Sequence, residues 1–310
     1  MNWPHKDLIG IEELTSEEIY TILDMTKSFK EISKREIKKV PTLRGKTVVL
    51  LFYEPSTRTR LSFELAAKRL SADTTALSAS GSSFAKGETI MDAAQNVMAM
   101  APDCIVIRYP YAGLVKKLAE TLPCSIINAG DGYHEHPTQA LLDMYSMREQ
   151  LGTLEGLHVA IVGDILHSRV ARSNVYGLKK VGAHVTLVAP KTLLPPGVDT
   201  WGVNVATALD PIVPEADVIM MLRVQKERIH EQYFPDEREY SYFYGLNKKR
   251  VERMKPGAVI MHPGPMNRGV EITYDAADSA RSIILNQVEN GVAVRMTLLY
   301  LSLGGNVNVD

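Results

Sequence analysis

The sequence predicts an α/β protein of two domains, each a mostly parallel sheet flanked by helices. Two observations lead there. Short apolar runs, nearly continuous in hydrophobicity, alternate with helical stretches, and strands buried on both faces of a parallel sheet have this character. The chain has 310 residues, 45% of them hydrophobic, enough for two cores of ordinary size. A third observation bears on function. Polar clusters follow the apolar runs, and open parallel sheets bind ligands beyond the carboxyl ends of their strands.

Taken in order, Thr15-Ser-Glu-Glu18 reads as a capping box, and Ile19, Ile22, Leu23 and Phe29 follow at roughly helical spacing. The strand candidates are Thr47–Phe52, Cys104–Ile107, Ser125–Ile127, His158–Val162, His184–Val188, Asp217–Leu222 and Ala258–Met261. A break is expected near residue 135, between Asn128-Ala-Gly-Asp-Gly132 and the helical run after His136. Leu193-Leu-Pro-Pro-Gly197 reads as a surface turn. A last helix over about 287–303 shows a partial apolar face of Val288, Val292, Leu299 and Leu303. No internal repeat or low-complexity segment is visible.

Composition narrows the function. With 35 basic and 36 acidic residues the formal net charge is −1, which argues against a general nucleic-acid binder. Cys104 and Cys124 sit in or beside apolar runs and read as buried free thiols of a reducing compartment; they form no metal-ligand pattern. No basic region followed by a long apolar run opens the chain, and no segment approaches about 18 uninterrupted apolar residues. The expectation is a cytoplasmic protein with no membrane association.

The polar clusters carry the functional signal. Thr47–Phe52 is followed by Tyr53-Glu-Pro-Ser-Thr-Arg-Thr-Arg60, and Cys104–Ile107 by Arg108-Tyr-Pro110. Ser125–Ile127 is followed by Asn128, Gly130-Asp-Gly132 and His136-Pro-Thr-Gln139. His158–Val162 leads to Gly163-Asp164 and His167-Ser-Arg169, and Asp217–Leu222 to Arg223-Val-Gln-Lys-Glu-Arg228. Ala258–Met261 leads to His262-Pro-Gly-Pro265. Ser56-Thr-Arg-Thr-Arg60 opens a helix, where unpaired backbone N–H groups suit an anion, hydroxyls add donors and Arg58 adds a planar fork for phosphate oxygens. Read alone, this stretch serves equally as a capped helix with two solvated arginines. Beside the other loops, the functional reading is favoured. His136 stands at another helix start, where the macrodipole disfavours a cation and a neutral imidazole can donate to an oxyanion. A lone histidine there reads first as structural. Gly81-Ser-Ser-Phe-Ala-Lys-Gly-Glu88 by itself reads as a surface loop.

Other ligand classes are set aside. Val162-Gly-Asp-Ile-Leu-His-Ser-Arg169 has one glycine where a dinucleotide fingerprint needs three, and no acidic residue ends the next strand. No stretch matches a P-loop, and the eight histidines show no HExxH spacing, so neither a cofactor nor a metal is expected.

Together, FYEPSTRTRLSFE, SGSSFAKGET, IRYP, NAGDGYHEHPTQALLD, GDILHSRVARS, MLRVQKER and HPGPMNRGVEI, in this order over almost the whole chain, resemble the aspartate carbamoyltransferase catalytic chains of the aspartate/ornithine carbamoyltransferase superfamily. The resemblance implies carbamoyl transfer from carbamoyl phosphate to L-aspartate, a step of pyrimidine biosynthesis. It also implies a homotrimer with sites between adjacent subunits. A carbamoyl-phosphate domain is expected over 1–134 plus 291–310, with the last helix returning to it, and an aspartate domain over 135–290. By match to the motifs, Ser56, Thr57, Arg58 and Thr59 hold the phosphate, and Arg108 bridges phosphate and carbonyl oxygen. His136 and Thr59 meet the carbonyl oxygen, and Gln139 lies near the carbamoyl amide. Ser82 and Lys86 reach into the neighbouring subunit's site. Arg169, Arg223 and Gln225 bind the aspartate carboxylates, while Gly264 and Pro265 contribute backbone carbonyls. Tyr109 stands where many members have His, Ala85 where some have another basic or polar residue, and Gly264 where some have Leu. The resemblance leaves open a regulatory chain or a dihydroorotase as partner. Two alternatives remain: a sister enzyme using ornithine or another amine, against which the absence of His-Cys-Leu-Pro speaks, and a non-catalytic binding protein on the same scaffold.

Overall fold

The protein is described from a computed structural model, which describes residues 3–78, 89–225 and 236–304. The chain falls into two compact units, Met1–Leu142 with Glu289–Asp310, and Asp143–Val288.

In the first unit, α1 (Ser16–Lys34) starts at the capping box read from the sequence: the Glu18 N–H donates to Thr15 Oγ1 at 3.2 Å and the Thr15 N–H to Glu18 Oε2 at 2.8 Å. There follow β1 (Thr47–Phe52), α2 (Thr57–Arg69), β2 (Asp73–Ser78), α3 (Ile90–Met98), β3 (Cys104–Tyr109), α4 (Leu114–Thr121), β4 (Ser125–Asp131) and the start of α5 (Pro137–Leu151), which from Asp143 on belongs to the second unit. The sheet is parallel throughout, in the order β2-β1-β3-β4. Val49, Leu51, Ile105, Ile107 and Ile126 pack on one face against Ala94, Val97, Val115 and Leu118. Burial on both faces is why these strands read as unbroken apolar runs. β2 was not expected. Its sequence, DTTALS, is polar because it is an edge strand that pairs on one side only and leaves Leu77 partly exposed.

The second unit holds β5 (His158–Val162), α6 (Arg169–Lys180), β6 (His184–Val188), β7 (Asn204–Ala206), β8 (Val218–Met221), α7 (Glu237–Tyr244), α8 (Lys248–Arg253), β9 (Val259–Met261) and α9 (Tyr274–Ala277). Its sheet is also parallel, in the order β7-β6-β5-β8-β9. Ala160, Val162, Ile219, Met221 and Ile260 join Leu246, Met254, Ile272 and Ala276 in its core. The three residues of β7 form another edge too short and too exposed to show in the sequence. Asp217, expected to open a strand, instead accepts the His158 N–H with Oδ2 at 2.8 Å and so ties the starts of β5 and β8.

The last helix, α10 (Ile284–Gly304), returns to the first unit. There Thr297 Oγ1 meets Thr26 Oγ1 at 3.0 Å, Arg295 Nη2 donates to Thr138 Oγ1 at 3.3 Å, and the Arg295 guanidinium lies 5.1 Å from the Phe63 ring centre. Among the described residues no helix is long and apolar enough to cross a membrane.

Candidate active site

In the first unit the predicted residues stand at the carboxyl ends of β1, β3 and β4, which are neighbours in the sheet. Ser56 is the N-cap residue of α2, and its side chain makes no capping bond. No acidic residue stands in the first turn. The helix therefore presents N–H groups and hydroxyls with a positive dipole end, the arrangement an anion needs. Thr59 is buried, while Thr57 and Arg58 are exposed. Arg108, in β3, is held on two sides: Nη2 donates to Glu54 Oε1 at 2.9 Å and Nη1 to the Ala129 carbonyl at 3.2 Å. One guanidinium edge is thus fixed by groups from the loop after β1 and from β4.

His136 is buried directly before α5, which Pro137 opens, and Gln139 is buried one turn in. The loop that presents them is locked from behind by side chains the sequence reading gave no role. Asn128 Nδ2 donates to the Ile9 carbonyl at 2.8 Å and to Asp131 Oδ1 at 2.9 Å. Asp131 Oδ1 also accepts the Glu135 N–H at 3.1 Å. Glu135, fully buried, accepts the N–H of Ile11 at 2.9 Å and of Glu12 at 3.2 Å. A buried carboxylate needs such charge-assisted bonds to remain ionised, each contributing about 1.5–3 kcal/mol.

In the second unit the ends of β5, β8 and β9 are again adjacent. Arg169 is buried at the first position of α6, whose N-cap Ser168 accepts the Ala171 N–H at 3.1 Å. Asp164, fully buried, receives the His167 N–H at 3.2 Å and lies 2.9 Å from His167 Nδ1. Its Oδ2 accepts the Gln225 N–H at 3.4 Å, and Gln225 Nε2 donates to the His167 carbonyl at 3.1 Å. The loops after β5 and β8 are therefore stitched together beside Arg223. Gly163 (φ +131°) permits the close approach: a Cβ there would lie 2.9 Å from the Leu222 carbonyl oxygen. Asn267 Nδ2 donates to the Val224 carbonyl at 3.2 Å, bringing in the segment of Gly264 and Pro265. These two residues are joined by a cis peptide bond.

Residues 6–149 match the carbamoyl-P binding domain of the aspartate/ornithine carbamoyltransferases, and residues 155–302 match their Asp/Orn binding domain. The chain belongs to the aspartate/ornithine carbamoyltransferase family. An aspartate carbamoyltransferase catalytic subunit of Geobacter sulfurreducens is 58% identical over 311 residues, covering 100% of this chain and 100% of that protein. Among solved structures, the aspartate transcarbamoylase of Trypanosoma cruzi with carbamoyl phosphate and aspartate is similar with a TM-score of 0.86, at 27% identity over 96% of each chain. The ornithine carbamoyltransferase of Pyrococcus furiosus is similar with a TM-score of 0.85, at 31% identity over 99% of this chain and 100% of that one. The fold is thus shared by carbamoyltransferases named for either amine, and the choice between amines must come from side chains.

Against the motifs of this carbamoyltransferase family, Ser56, Thr57, Arg58, Thr59, Arg108, His136 and Gln139 fall in the first unit, and Arg169, Arg223, Gln225, Gly264 and Pro265 in the second. Ser82 and Lys86 lie outside the described residues. Among the described residues no group of His, Cys, Asp or Glu is placed to hold a metal ion. The supporting residues missed include carboxylates and amides: Glu54, Asn128, Asp131, Glu135, Asp164 in its structural role, Asn267 and Glu271. Glu54 had a readable signal. A carboxylate in the middle of an anion-binding stretch works against the substrate unless it holds a cation.

Proposed function

We propose that the chain transfers the carbamoyl group of carbamoyl phosphate to the α-amine of L-aspartate, giving N-carbamoyl-L-aspartate and phosphate. The observation that carries this reading is the pair Arg169, which opens α6 after β5, and Arg223, in the loop after the neighbouring strand β8, with Gln225 tied to His167 between them. Two guanidinium groups suit a dicarboxylate and would repel the cationic side chain of ornithine. The full-length similarity to an aspartate-type subunit, 58% identical, supports the same choice.

Ser56, Thr57, Arg58 and Thr59 hold the phosphate at the start of α2. Arg108 bridges phosphate and carbonyl oxygen, Thr59 and His136 donate to that oxygen as negative charge develops, and Gln139 holds the carbamoyl amide. Ser82 and Lys86 are assigned to the site of a neighbouring subunit in a homotrimer. The carbonyls of Gly264 and Pro265 orient the amine. The neutral amine attacks the carbamoyl carbon, the N–C bond forms, the C–O bond to phosphate breaks, and the departing phosphate takes the proton. No covalent enzyme intermediate is required; catalysis comes from holding two anions together and stabilising the oxyanion. Residues 1–134 with 291–310 are assigned to carbamoyl phosphate and 135–290 to aspartate, with His136 and Gln139, just past that boundary, serving the carbamoyl group. Buried thiols at Cys104 and Cys124 fit a reducing compartment such as the cytoplasm, where pyrimidine biosynthesis would use the product.

The test is carbamoyl transfer by the purified chain with carbamoyl phosphate and either L-aspartate or L-ornithine, scoring the ureido product. Product with aspartate alone is expected. Product with ornithine, or with neither amine, overturns the reading.

A further inference from the structure

His262 and Glu271 are 1% and 0% exposed. His262 Nδ1 accepts the Gly264 N–H at 2.8 Å, so the ring proton sits on Nε2, 3.1 Å from Glu271 Oε1. The same Oε1 accepts the Asn267 N–H at 2.5 Å. The segment 262–267 is thus gripped at both ends by one histidine–carboxylate pair. Asn267 then passes the constraint on, since its Nδ2 donates to the carbonyl of Val224, between Arg223 and Gln225. Behind the pair, the His262 N–H donates to Gln287 Oε1 at 2.9 Å, Gln287 Nε2 to Asp143 Oδ1 at 2.8 Å, and Asn174 Nδ2 to Asp143 Oδ2 at 2.9 Å.

Apolar residues of similar volume often replace a buried polar pair without loss of stability. What apolar residues would not supply is direction. We infer that His262 and Glu271 are positioning residues for the amine substrate: they set the Gly264–Pro265 turn and, through Asn267, the Arg223–Gln225 strand end, without touching substrate themselves. The inference rests on the assignment of the aspartate carboxylates to Arg169, Arg223 and Gln225. It goes beyond that assignment in naming the buried groups that tune affinity for one substrate only.

The experiment is steady-state kinetics of the full chain, with L-aspartate and carbamoyl phosphate varied separately and inorganic phosphate as an inhibitor that reports the first unit. Asn267→Ala removes one link and should raise the aspartate KM on the order of tenfold, the factor expected when one hydrogen bond's worth of positioning is lost. Glu271→Leu removes two acceptor contacts and should raise it on the order of a hundredfold. Glu271→Gln keeps an acceptor at Oε1 and should stay within about threefold of the parent. In all three the phosphate inhibition constant and the carbamoyl phosphate KM should hold within about twofold. If Glu271→Leu does not fold, Asn267→Ala, a half-buried position, decides the question. An unchanged aspartate KM in Asn267→Ala overturns the inference, as does an equal loss toward both substrates. Arg223→Ala separates the two levels. Should it leave aspartate use intact, the site assignment itself fails; should it impair aspartate use while Asn267→Ala does not, only the positioning role fails.

Discussion

Replacing Gly10 by alanine should destabilise the first unit through a residue 125 positions away. Gly10 faces Glu135: an alanine Cβ would overlap Oε1 and lie 3.0 Å from Cδ, against an ordinary contact of 3.4–4 Å. Glu135 is fully buried, so its carboxylate has no solvent to swing into. It must move by several tenths of an ångström to about an ångström. Such a shift breaks at least one of its bonds to the N–H groups of Ile11 and Glu12. Losing one charge-assisted bond at a buried carboxylate costs about 1.5–3 kcal/mol, and overpacking adds about 1–3 kcal/mol. Because the shift relieves part of the overlap, the expected total is about 3 kcal/mol rather than the full sum. The assay is urea denaturation of four proteins: parent, Gly10→Ala, Glu135→Ala and the double variant. In the Glu135→Ala background the new methyl has no carboxylate to meet and should cost less than about 1 kcal/mol, giving a coupling of about 2 kcal/mol. Additive effects, or a single-variant change below about 0.5 kcal/mol, would refute the argument. Since Glu135 precedes His136, the single variant should also raise the carbamoyl phosphate KM.

Further predictions follow from other contacts. Glu54→Ala removes one of the groups that hold Arg108, so kcat should fall by about 10- to 100-fold at saturating substrate; an unchanged kcat counts against an orienting role. Arg295→Ala removes the bond to Thr138 and the stacking on Phe63, and should lower stability by about 2–4 kcal/mol in denaturation; an unchanged midpoint would show that α10 is held by its apolar residues alone. Asp210 is held below the usual carboxylate range by its hydrogen bond to Arg250, against burial, with Arg253 assisting. A depressed folded pKa stabilises above the unfolded value of about 3.9 and is lost as pH falls through the folded value. Asp210→Asn should therefore cost about 1 kcal/mol or less at pH 7, discounted because the carboxylate is half exposed, and the gap from the parent should close below about pH 4. A gap that does not vary with pH would place the effect elsewhere than in this ion pair.

The sequence was most informative where a single physical demand dominates a segment. Thr47–Phe52 and His158–Val162 are buried on both faces, and their strand bounds coincide with the apolar runs. Thr15–Glu18 has a local geometry that four residues specify by themselves. Edge strands were hidden because backbone pairing, not side-chain burial, makes β2 and β7, and DTTALS or NVA offers no apolar signature. Candidate site residues were legible when they lay in loops after strands and carried cations or imidazole. Carboxylates behind them were not, because a carboxylate's hydrogen-bond partner, whether distant like Ile11 for Glu135 or near like Asn267 for Glu271, leaves no mark on residue type or spacing. Nothing near Glu135 points to Ile11, and nothing near Glu271 identifies Asn267 N–H and His262 as the groups it bridges. Such pairings depend on loop conformations and long-range packing that residue type alone does not specify.

Those carboxylates raise a question of balance, since both proposed substrates are anions and each buried Glu or Asp subtracts positive charge. The resolution lies in what a cation contributes at different depths. At 4 Å, opposite unit charges attract by about 1 kcal/mol in water and about 4 kcal/mol at the effective dielectric of a protein surface. An exposed group such as Arg58 therefore provides attraction that water weakens, whereas Arg108, with 12% side-chain exposure, provides more per contact but only if its fork points at the substrate oxygen. A long side chain left to rotate would lose that advantage to entropy, about 2 kcal/mol for an arginine. Glu54 removes the freedom at the expense of some charge, and Asp164 and Glu271 do the same for the loops around Arg223. On this argument the chain can carry a net charge of −1 and still gather two anions, because direction at a few buried positions outweighs the sum of charges over the surface.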